Sequence, residues 1–383
     1  MKFRRLIFAN LFRKKVRLLL TVGSFAIALF LFTFLAVVRS AFSRGTELAG
    51  ADRLVVINRV GLINTMPLAY GDKIRQIKGV KYVTHNNWFG GVYQDEKNFF
   101  PQFVIDPENQ RQVMTEMRVS DDQWKKFVGD RQGAIAGRSL ANRFHWKVGD
   151  RIPLQNALYG PTKTWEFNLD GIYTNDKEGG DESQFWLQWD YFYENVPDAI
   201  KGQAGWWVLK LDSPDDAVRV GRAIDDGFRN SSYETKTETE SAFQAGFAKQ
   251  LGNIQLLITT IGSVVFFTLL LVTGNTMAIS IRERTGELAV LKAIGFSDRF
   301  VLFFVLAESL VIALFGGLIG LGLAFLAIPV VGAKLNGLLP PLLLSAAALG
   351  LGVVLAVAVG LASGLLPGIS AMRMRVVDAL RRV

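Results

Sequence analysis

The 383-residue chain has no cysteine and only two histidines, His85 and His145. Without cysteine there is no disulfide framework. Neither histidine is paired with another His or a Glu at ligand spacing, so a zinc centre or a His-based acid–base site lacks its residues, and both are read as structural or surface groups. No Gly-Lys dipeptide occurs anywhere. The phosphate-cradling G-x-x-x-x-G-K-[ST] loop is therefore missing, and nucleotide hydrolysis by that route is excluded for this polypeptide. There is no G-x-S-x-G elbow. The acidic stretch DKEGGDE, Asp176 to Glu182, lacks the alternating-oxygen spacing of a calcium loop and reads as a solvated turn. No catalytic, cofactor-binding or metal-ligating residue is assigned.

Charge is also missing, in blocks. Leu18 to Val38 is uncharged between Arg17 and Arg39, and Gln250 to Ile281 is uncharged between Lys249 and Arg282. Phe300 to Leu326 is apolar apart from Glu308, and Leu335 to Met372 carries no charge at all. Each run can cover a hydrocarbon core of roughly 30 Å, which needs about 20 helical residues. Four transmembrane helices are expected, at 16–40, 246–281 with a stalk, 299–326 and 340–368. The first resembles a secretory signal because a basic region precedes it. Its apolar run is too long, however, and Arg39 stands where small residues should lead to cleavage, so it is read as a retained helix.

What charge remains sets the orientation. The first 17 residues hold seven Lys or Arg and no acid, 282–299 holds four, and the tail from Arg373 holds four, whereas the segment between the third and fourth spans holds only Lys334. By the positive-inside rule both termini and the 282–298 segment are cytoplasmic. The stretch from Arg39 to Lys249 then lies outside the cytoplasm; it carries 27 basic and 29 acidic residues and all eight Trp. The net +9 of the chain is thus a membrane-orientation signal, and no nucleic-acid partner is implied.

The outer segment, 41–245, mixes strand and helix patterns and is long enough to bury its own core. Arg53–Asn58, Val80–Val92, Phe99–Ile105, Trp206–Leu211 and Tyr233–Thr239 read as strands; Pro67–Lys78 and Pro214–Phe228 read as helices. Strand–helix–strand units at both ends suggest one subdomain made from about 41–110 and 200–240, with about 110–200 inserted. The fold class is therefore a four-helix membrane protein carrying an α+β extracytoplasmic domain between its first two spans. From Glu240 to Ile281 the pattern is helical without proline, roughly 60 Å at 1.5 Å per residue, so one helix is expected to cross the membrane and continue as a stalk. Before the first span, Phe3, Leu6, Ile7 and Leu11 recur at helical spacing among basic residues, an amphipathic helix over 1–15 for the inner membrane surface.

Small residues recur at four-residue spacing in the last two spans: Gly316 with Gly320, beside Gly317, and Gly360 with Gly364. Such spacing lets helices approach closely in lipid, within one chain or between protomers. Glu308 is the one ionisable residue well inside a span, which raises a functional question, although its distance from Arg299 fits a structural place near arginines. The aromatic run FWLQWDYFY, Phe185 to Tyr193, reads as core, or else as an exposed apolar contact patch.

Between the second and third spans stands RERTGELAVLKAIG, Arg282 to Gly295, polar at its start and apolar later. The segment IRERTGELAVLKAIGFSDRFVLFFVLAESLVIALFGGLIGLGLA, Ile281 to Ala324, resembles the signature of the MacB/FtsX-like permeases of ABC transport systems. An R-x-x-E-[IL] segment, an Ala-x-Gly turn, a Glu and a Gly-Gly follow there in this order. ANLFRKKVRLLLTVGSFAIAL resembles the family's lead into its first span, LLPGISAMRMRVVDALR its closing segment, and AIAGRSLANRFHWKVGDRIPL the MacB-type periplasmic core.

The resemblance implies a homodimeric, non-enzymatic permease in a bacterial inner membrane, seated on cytoplasmic ATPase subunits that bind ATP and Mg; this chain itself holds no cofactor. It implies a coupling helix over 282–298, in which Arg282, Glu283, Arg284, Glu287, Leu288, Leu291, Lys292 and Gly295 meet the ATPase. The expected activity is export or efflux by mechanotransmission, with a periplasmic adaptor and an outer-membrane channel as further partners. Two alternatives are a regulatory platform that activates a cell-wall hydrolase, and release of lipoproteins from the membrane.

Overall fold

The computed structural model describes residues 14–48, 50–250, 254–335 and 342–374. The expected amphipathic helix over 1–15, most of the segment between the last two spans and the tail beyond Met374 lie outside these residues. From the N-terminus, helix α1 (Lys15–Leu48) leads into an inserted domain. That domain contains β1 (Arg53–Asn58), β2 (Met66–Pro67), α2 (Ala69–Arg75), β3 (Val80–Trp88), β4 (Gln102–Ile105), α3 (Gln110–Val113), β5 (Met117–Arg118) and α4 (Asp121–Gly129). It continues with β6 (Gly133–Gly137), α5 (Arg138–Phe144), β7 (Arg151–Asn156), β8 (Lys163–Asn175), β9 (Phe185–Gln188) and α6 (Trp189–Asn195). It closes with β10 (Gln203–Ala204), β11 (Trp206–Leu211), α7 (Ala217–Gly227), β12 (Thr235–Thr239) and α8 (Glu240–Gln250). Four further helices follow among the described residues: α9 (Ile254–Glu283), α10 (Thr285–Ala293), α11 (Asp298–Leu335) and α12 (Ala346–Met372).

The inserted domain is built on a mixed sheet in the order β12-β1-β11-β3-β4-β9-β6-β8-β5, with β7 on β8, beside a small β10-β2 pair. Two pairings, β4 with β9 and β6 with β8, are parallel. Strands close in space but far apart in sequence make up the first half: β1 pairs antiparallel with both β11 and β12. Alternation explains their burial. Leu54 and Val56 with Leu209 and Trp207 enter one core, against Ile74 of α2 and Val220 and Ile224 of α7. Val55 with Trp206 and Val208 enters another, so the strand is apolar on both faces. The second half is filled by rings: Phe89, Phe100, Trp146, Trp165, Phe167 and Phe185 pack edge-on or tilted at centroid distances of 5.3–6.4 Å.

The run Phe185 to Tyr193 belongs to this core. Phe185, Trp186, Leu187, Trp189 and Phe192 are buried, and Tyr193 alone among its large apolar side chains is exposed. The helix expected to open at Pro67 starts instead at Ala69. Met66 and Pro67 are used in the ladder to β10, and the Leu68 amide is bonded to the Gly202 carbonyl. Similarly, Pro214 opens a single 3-10 turn, capped by the Ser213 hydroxyl, before α7 begins.

Among the described residues, four helices are long and apolar enough to cross a membrane: Lys15–Ala41, Leu256–Glu283, Asp298–Gly332 and Ala346–Met372. The third runs past the expected end at 326, through Pro329, to Leu335. The fourth starts at Ala346, where the Ser345 hydroxyl caps the Ala348 amide. The expected continuous stalk is described as two helices, α8 and α9; the junction at 251–253, with Gly252, lies outside the described residues. Phe25, Leu29, Met277, Val305, Ile312, Ala313, Ala356 and Val359 form the centre of the helical unit.

Glycine makes the closest of these approaches possible. A Cβ on Gly320 would collide with the Ala26 carbonyl of α1, and one on Gly316 would stand 2.7 Å from the Val22 carbonyl. Gly320→Ala is therefore expected to cost about 1–3 kcal/mol by overpacking. Gly322→Ala, on the same helix with nothing within 4 Å of the added methyl, is the control and should cost nothing. Thermal unfolding of the full chain in detergent checks the pair, and equal midpoints would remove this account of α1 against α11.

Candidate functional site: the elbow between the second and third spans

The helix of α9 ends at Glu283, and α10 begins at Thr285. Between them Arg284 leaves helical geometry, with φ −107° and ψ 19°. The coupling helix expected over 282–298 is thus shorter, Thr285–Ala293, because its first charged residues belong to the preceding helix and to the bend. Its far end is a Schellman motif: the Gly295 amide bonds Lys292 O at 3.0 Å and the Phe296 amide bonds Leu291 O at 3.1 Å. Gly295 sits at φ +106°, where a side chain would be strained.

Three of the charged residues assigned to the site are engaged within the chain. Glu283 accepts from Arg17 Nη2 at 2.7 and 2.8 Å and is also 2.8 Å from Lys14 Nζ, both on the first-helix side. Arg284 Nη2 donates to both carboxylate oxygens of Glu308 at 2.8 Å and to Ser280 Oγ at 2.7 Å. Lys292 Nζ donates to the Met372 and Met374 carbonyls at 2.6 and 2.9 Å and lies 2.7 Å from Asp298. Consecutive residues therefore clip the elbow to α1 and α11, and the last turn of α10 is clipped to the end of α12.

Leu288, assigned to the interface, is buried with Ala289 against the helical unit, and Leu291 is half-buried. The outward face of α10 instead carries Glu287, Val290 and Ile294, at 3.6-residue spacing; Val290 is 47% and Ile294 71% exposed. Arg282 and Gly295 are exposed as well. Val290 and Ile294 were missed because the apolar stripe of an isolated helix does not say which side is covered. Within the segment itself no signal distinguishes this face from the covered one.

Glu308 takes a structural place beside an arginine, but its partner is Arg284, across the elbow, and Arg299 is exposed. A Cβ on Gly317 would stand 3.1 Å from Ala356 and Leu29, one on Gly360 would stand 2.7 Å from Ala313, and one on Gly364 would collide with Ser309. The small-residue spacings are thus occupied by contacts within one chain. His85 lies edge-on to Trp189 with Nδ1 3.8 Å from Asp106, and burial lowers its pKa. His145 caps α5 in the left-handed region at φ 57°. The DKEGGDE turn uses its acids internally, Asp181 accepting from the Ser183 amide and Glu182 from the Asn175 amide.

Residues 259–376 match the model of the FtsX-like permease C-terminal family. An uncharacterized ABC transporter permease of Methanocaldococcus jannaschii is 24% identical over 324 residues, covering 80% of this chain and 77% of the relative. The uncharacterized ABC transporter permease YknZ of Bacillus subtilis is 29% identical over 177 residues, covering 45% of this chain and 44% of the relative. The macrolide export ATP-binding/permease protein MacB of Neisseria gonorrhoeae is 28% identical over 165 residues, covering 43% of this chain and 24% of the relative. The chain thus spans under half of the last two. Among solved structures, the periplasmic region of MacB from Actinobacillus actinomycetemcomitans is similar over 53% of this chain and 95% of its own, at 8% identity and TM-score 0.38. The extracellular domain of YknZ from Gram-positive bacteria is similar over 49% of this chain and 99% of its own, at 11% identity and TM-score 0.35. Residues 259–376 match an FtsX-like permease domain, and the relatives of the chain are ABC transporter permeases, MacB among them.

Proposed function

We propose that this permease takes up work from a separate ABC ATPase through α10 and passes it to the inserted domain to drive export across a cell envelope. The observation that carries the reading is the elbow: a short helix held to three spanning helices by charged clips, with Glu287, Val290 and Ile294 left on its outer face. An apolar pair flanked by charge is the composition of a small interface centre. The basic residues around the helix ends support a cytoplasmic side for α10 and both termini, with the inserted domain across a bacterial inner membrane as part of this reading. A homodimer with a periplasmic adaptor and an outer-membrane channel completes the proposed assembly. Export is preferred over hydrolase regulation or lipoprotein release because one relative is named for macrolide export.

The test is co-purification of the chain with a co-expressed ABC ATPase, with ATPase activity of the complex as readout. Ile294→Asp puts a charge at the centre of the proposed contact and should lower recovery at least about tenfold, the equivalent of ~1.4 kcal/mol. Val290→Asp should act in the same direction. Arg299→Gln, exposed beyond the helix, should leave recovery unchanged. Undiminished recovery and stimulation in both aspartate variants would refute α10 as the contact.

A further inference from the structure

His85 lies on the line where the two halves of the inserted domain meet. On β3 it shares a face with Val83, two residues earlier, which packs in the core of the first half. The imidazole is set edge-on to Trp189, the first residue of α6, with the ring centroids 4.2 Å apart and the planes at 87°. Trp189 is 8% exposed and belongs to the ring-filled core of the second half. One titratable side chain thus stands between two cores.

Its two nitrogens are unequally served. Nδ1 is 3.8 Å from Asp106 Oδ2, too far for a hydrogen bond, although the Asp106 amide donates to the His85 carbonyl at 3.2 Å and keeps the two residues side by side. The Asp106 carboxylate is fixed in place, accepting from the Glu108 amide and from Asn109 Nδ2. Nε2 is buried and has no partner among the described residues. A neutral ring can leave Nε2 as a bare acceptor. A charged ring carries an N–H at both nitrogens and must bury one without an acceptor, at greater cost.

Few other charges surround the ring. On α2, the guanidinium of Arg75 acts on it, itself 56% exposed and 3.2 Å from Asp72, whereas Lys73 lies over the Phe228 ring. On α6, Asp190 is exposed and accepts from Gln188 Nε2 at 3.5 Å, and Glu194 pairs with Arg131. Burial is the largest influence and pushes the His85 pKa down; Asp106 pushes it up, Arg75 pushes it down, and the value lies below the ordinary one for histidine.

We propose that His85 is a pH-sensitive joint between the two halves of the inserted domain. Neutral, the ring fills the seam against Trp189. Protonated, it gains a charge-assisted bond by moving Nδ1 about 1 Å closer to Asp106, and this movement leaves the Trp189 contact and loosens the seam. Because the folded value is lower than the unfolded one of about 6.5, the contribution to stability is complete above that pH and falls as pH drops from there to the folded value. The inference concerns the inserted domain alone and needs neither export nor an ATPase.

The experiment is a titration of the full chain in detergent from about pH 8 to about pH 5, the range in which histidine changes charge. In a His145→Gln background, carbon-13 NMR of labelled histidine reports His85 alone, and its midpoint should fall within the titration and below about 6.5. A midpoint at or above that value, or none in the range, would overturn the proposal. The fluorescence difference between each protein and its Trp189→Phe counterpart isolates Trp189. It should change with the His85 midpoint in the parent chain and stay flat in His85→Gln. Arg75→Gln, at an exposed position, should move the midpoint up, and Asp106→Asn should move it down. A Trp189 transition that persists in His85→Gln, or a midpoint that fails to move in these opposite directions, would overturn the assignment to His85. Amide hydrogen exchange in α6, corrected for its intrinsic pH dependence, should quicken at least about threefold below the midpoint relative to His85→Gln. Equal exchange in the two proteins would mean that His85 titrates without loosening the seam, and the switch would be refuted.

Discussion

Glu308→Ala is expected to lower the stability of the helical unit by about 3–5 kcal/mol, the cost of leaving one member of a buried ion pair behind. Glu308 is 4% exposed and accepts two hydrogen bonds from Arg284, which then keeps only the Ser280 hydroxyl and a 3.4 Å contact to the Ser280 carbonyl. A guanidinium so placed inside a spanning unit is expensive to hold. The swapped pair, Arg284→Glu with Glu308→Arg, should recover part of the loss, and the apolar pair Arg284→Met with Glu308→Leu most of it, because buried pairs often break even against well-packed apolar side chains. The two rescues differ in function. If the pair transmits motion from α10 to α11, the apolar pair should be stable yet show weakened ATPase stimulation, while the swapped pair retains more of it. Thermal unfolding in detergent together with ATPase assays of the complex reads both, and a stable apolar pair with full stimulation would confine Arg284 and Glu308 to a structural role.

That pair also marks the limit of what the sequence disclosed. Long apolar runs, three of them free of charge and one holding only Glu308, were enough to place four spanning helices, because a bilayer demands length and apolarity and little else. In the same way, alternation in Arg53–Asn58 and Trp206–Leu211 identified strands whose apolar residues now fill two cores. The elbow was legible as a charged segment between spans, but not in its division of labour. Arg284, Leu288 and Lys292 carried the types expected of a contact surface, yet face inward to Glu308, the helical core and the carbonyls at the end of α12. Which face of a short helix is covered depends on residues 24 to 82 positions away, and periodicity within fourteen residues holds no record of them. Pro329 and Ser345 show the same limit at boundaries: α11 carries Pro329 inside it and runs on to Leu335, and a serine cap fixes the start of α12.

Arg53→Ala is expected to destabilise the inserted domain by a comparable amount, about 3–5 kcal/mol, again by orphaning buried charge. Arg53 is 3% exposed at the start of β1. Its guanidinium forks onto Glu116, Nη1 to Oε2 at 2.7 Å and Nη2 to Oε1 at 2.5 Å, while Nε donates to Glu240 Oε2 at 2.6 Å. The Gly50 amide donates to that same Glu240 oxygen at 2.7 Å. One arginine thus joins the strand that opens the domain, the first residue of α8 that closes it, and the loop before β5. Two carboxylates on one cation would repel in isolation. Here burial opposes ionisation of Glu116, but the hydrogen bonds and charge of Arg53 outweigh it and leave its carboxyl below the usual carboxylate range. Because the native value lies below the unfolded one, near about 4.3, the contribution is complete above that range and disappears as pH falls through the native value. Arg53→Lys keeps the charge without the fork and should fall between wild type and Arg53→Ala. Unfolding midpoints of the full chain, followed by fluorescence of the tryptophans, all of which lie in this domain, read the series at neutral pH and below pH 4. The gap between wild type and Glu116→Gln should narrow on acidification. A constant gap, or an Arg53→Ala protein within about 0.5 kcal/mol of wild type, would mean that the clasp does not hold the two ends of the domain together.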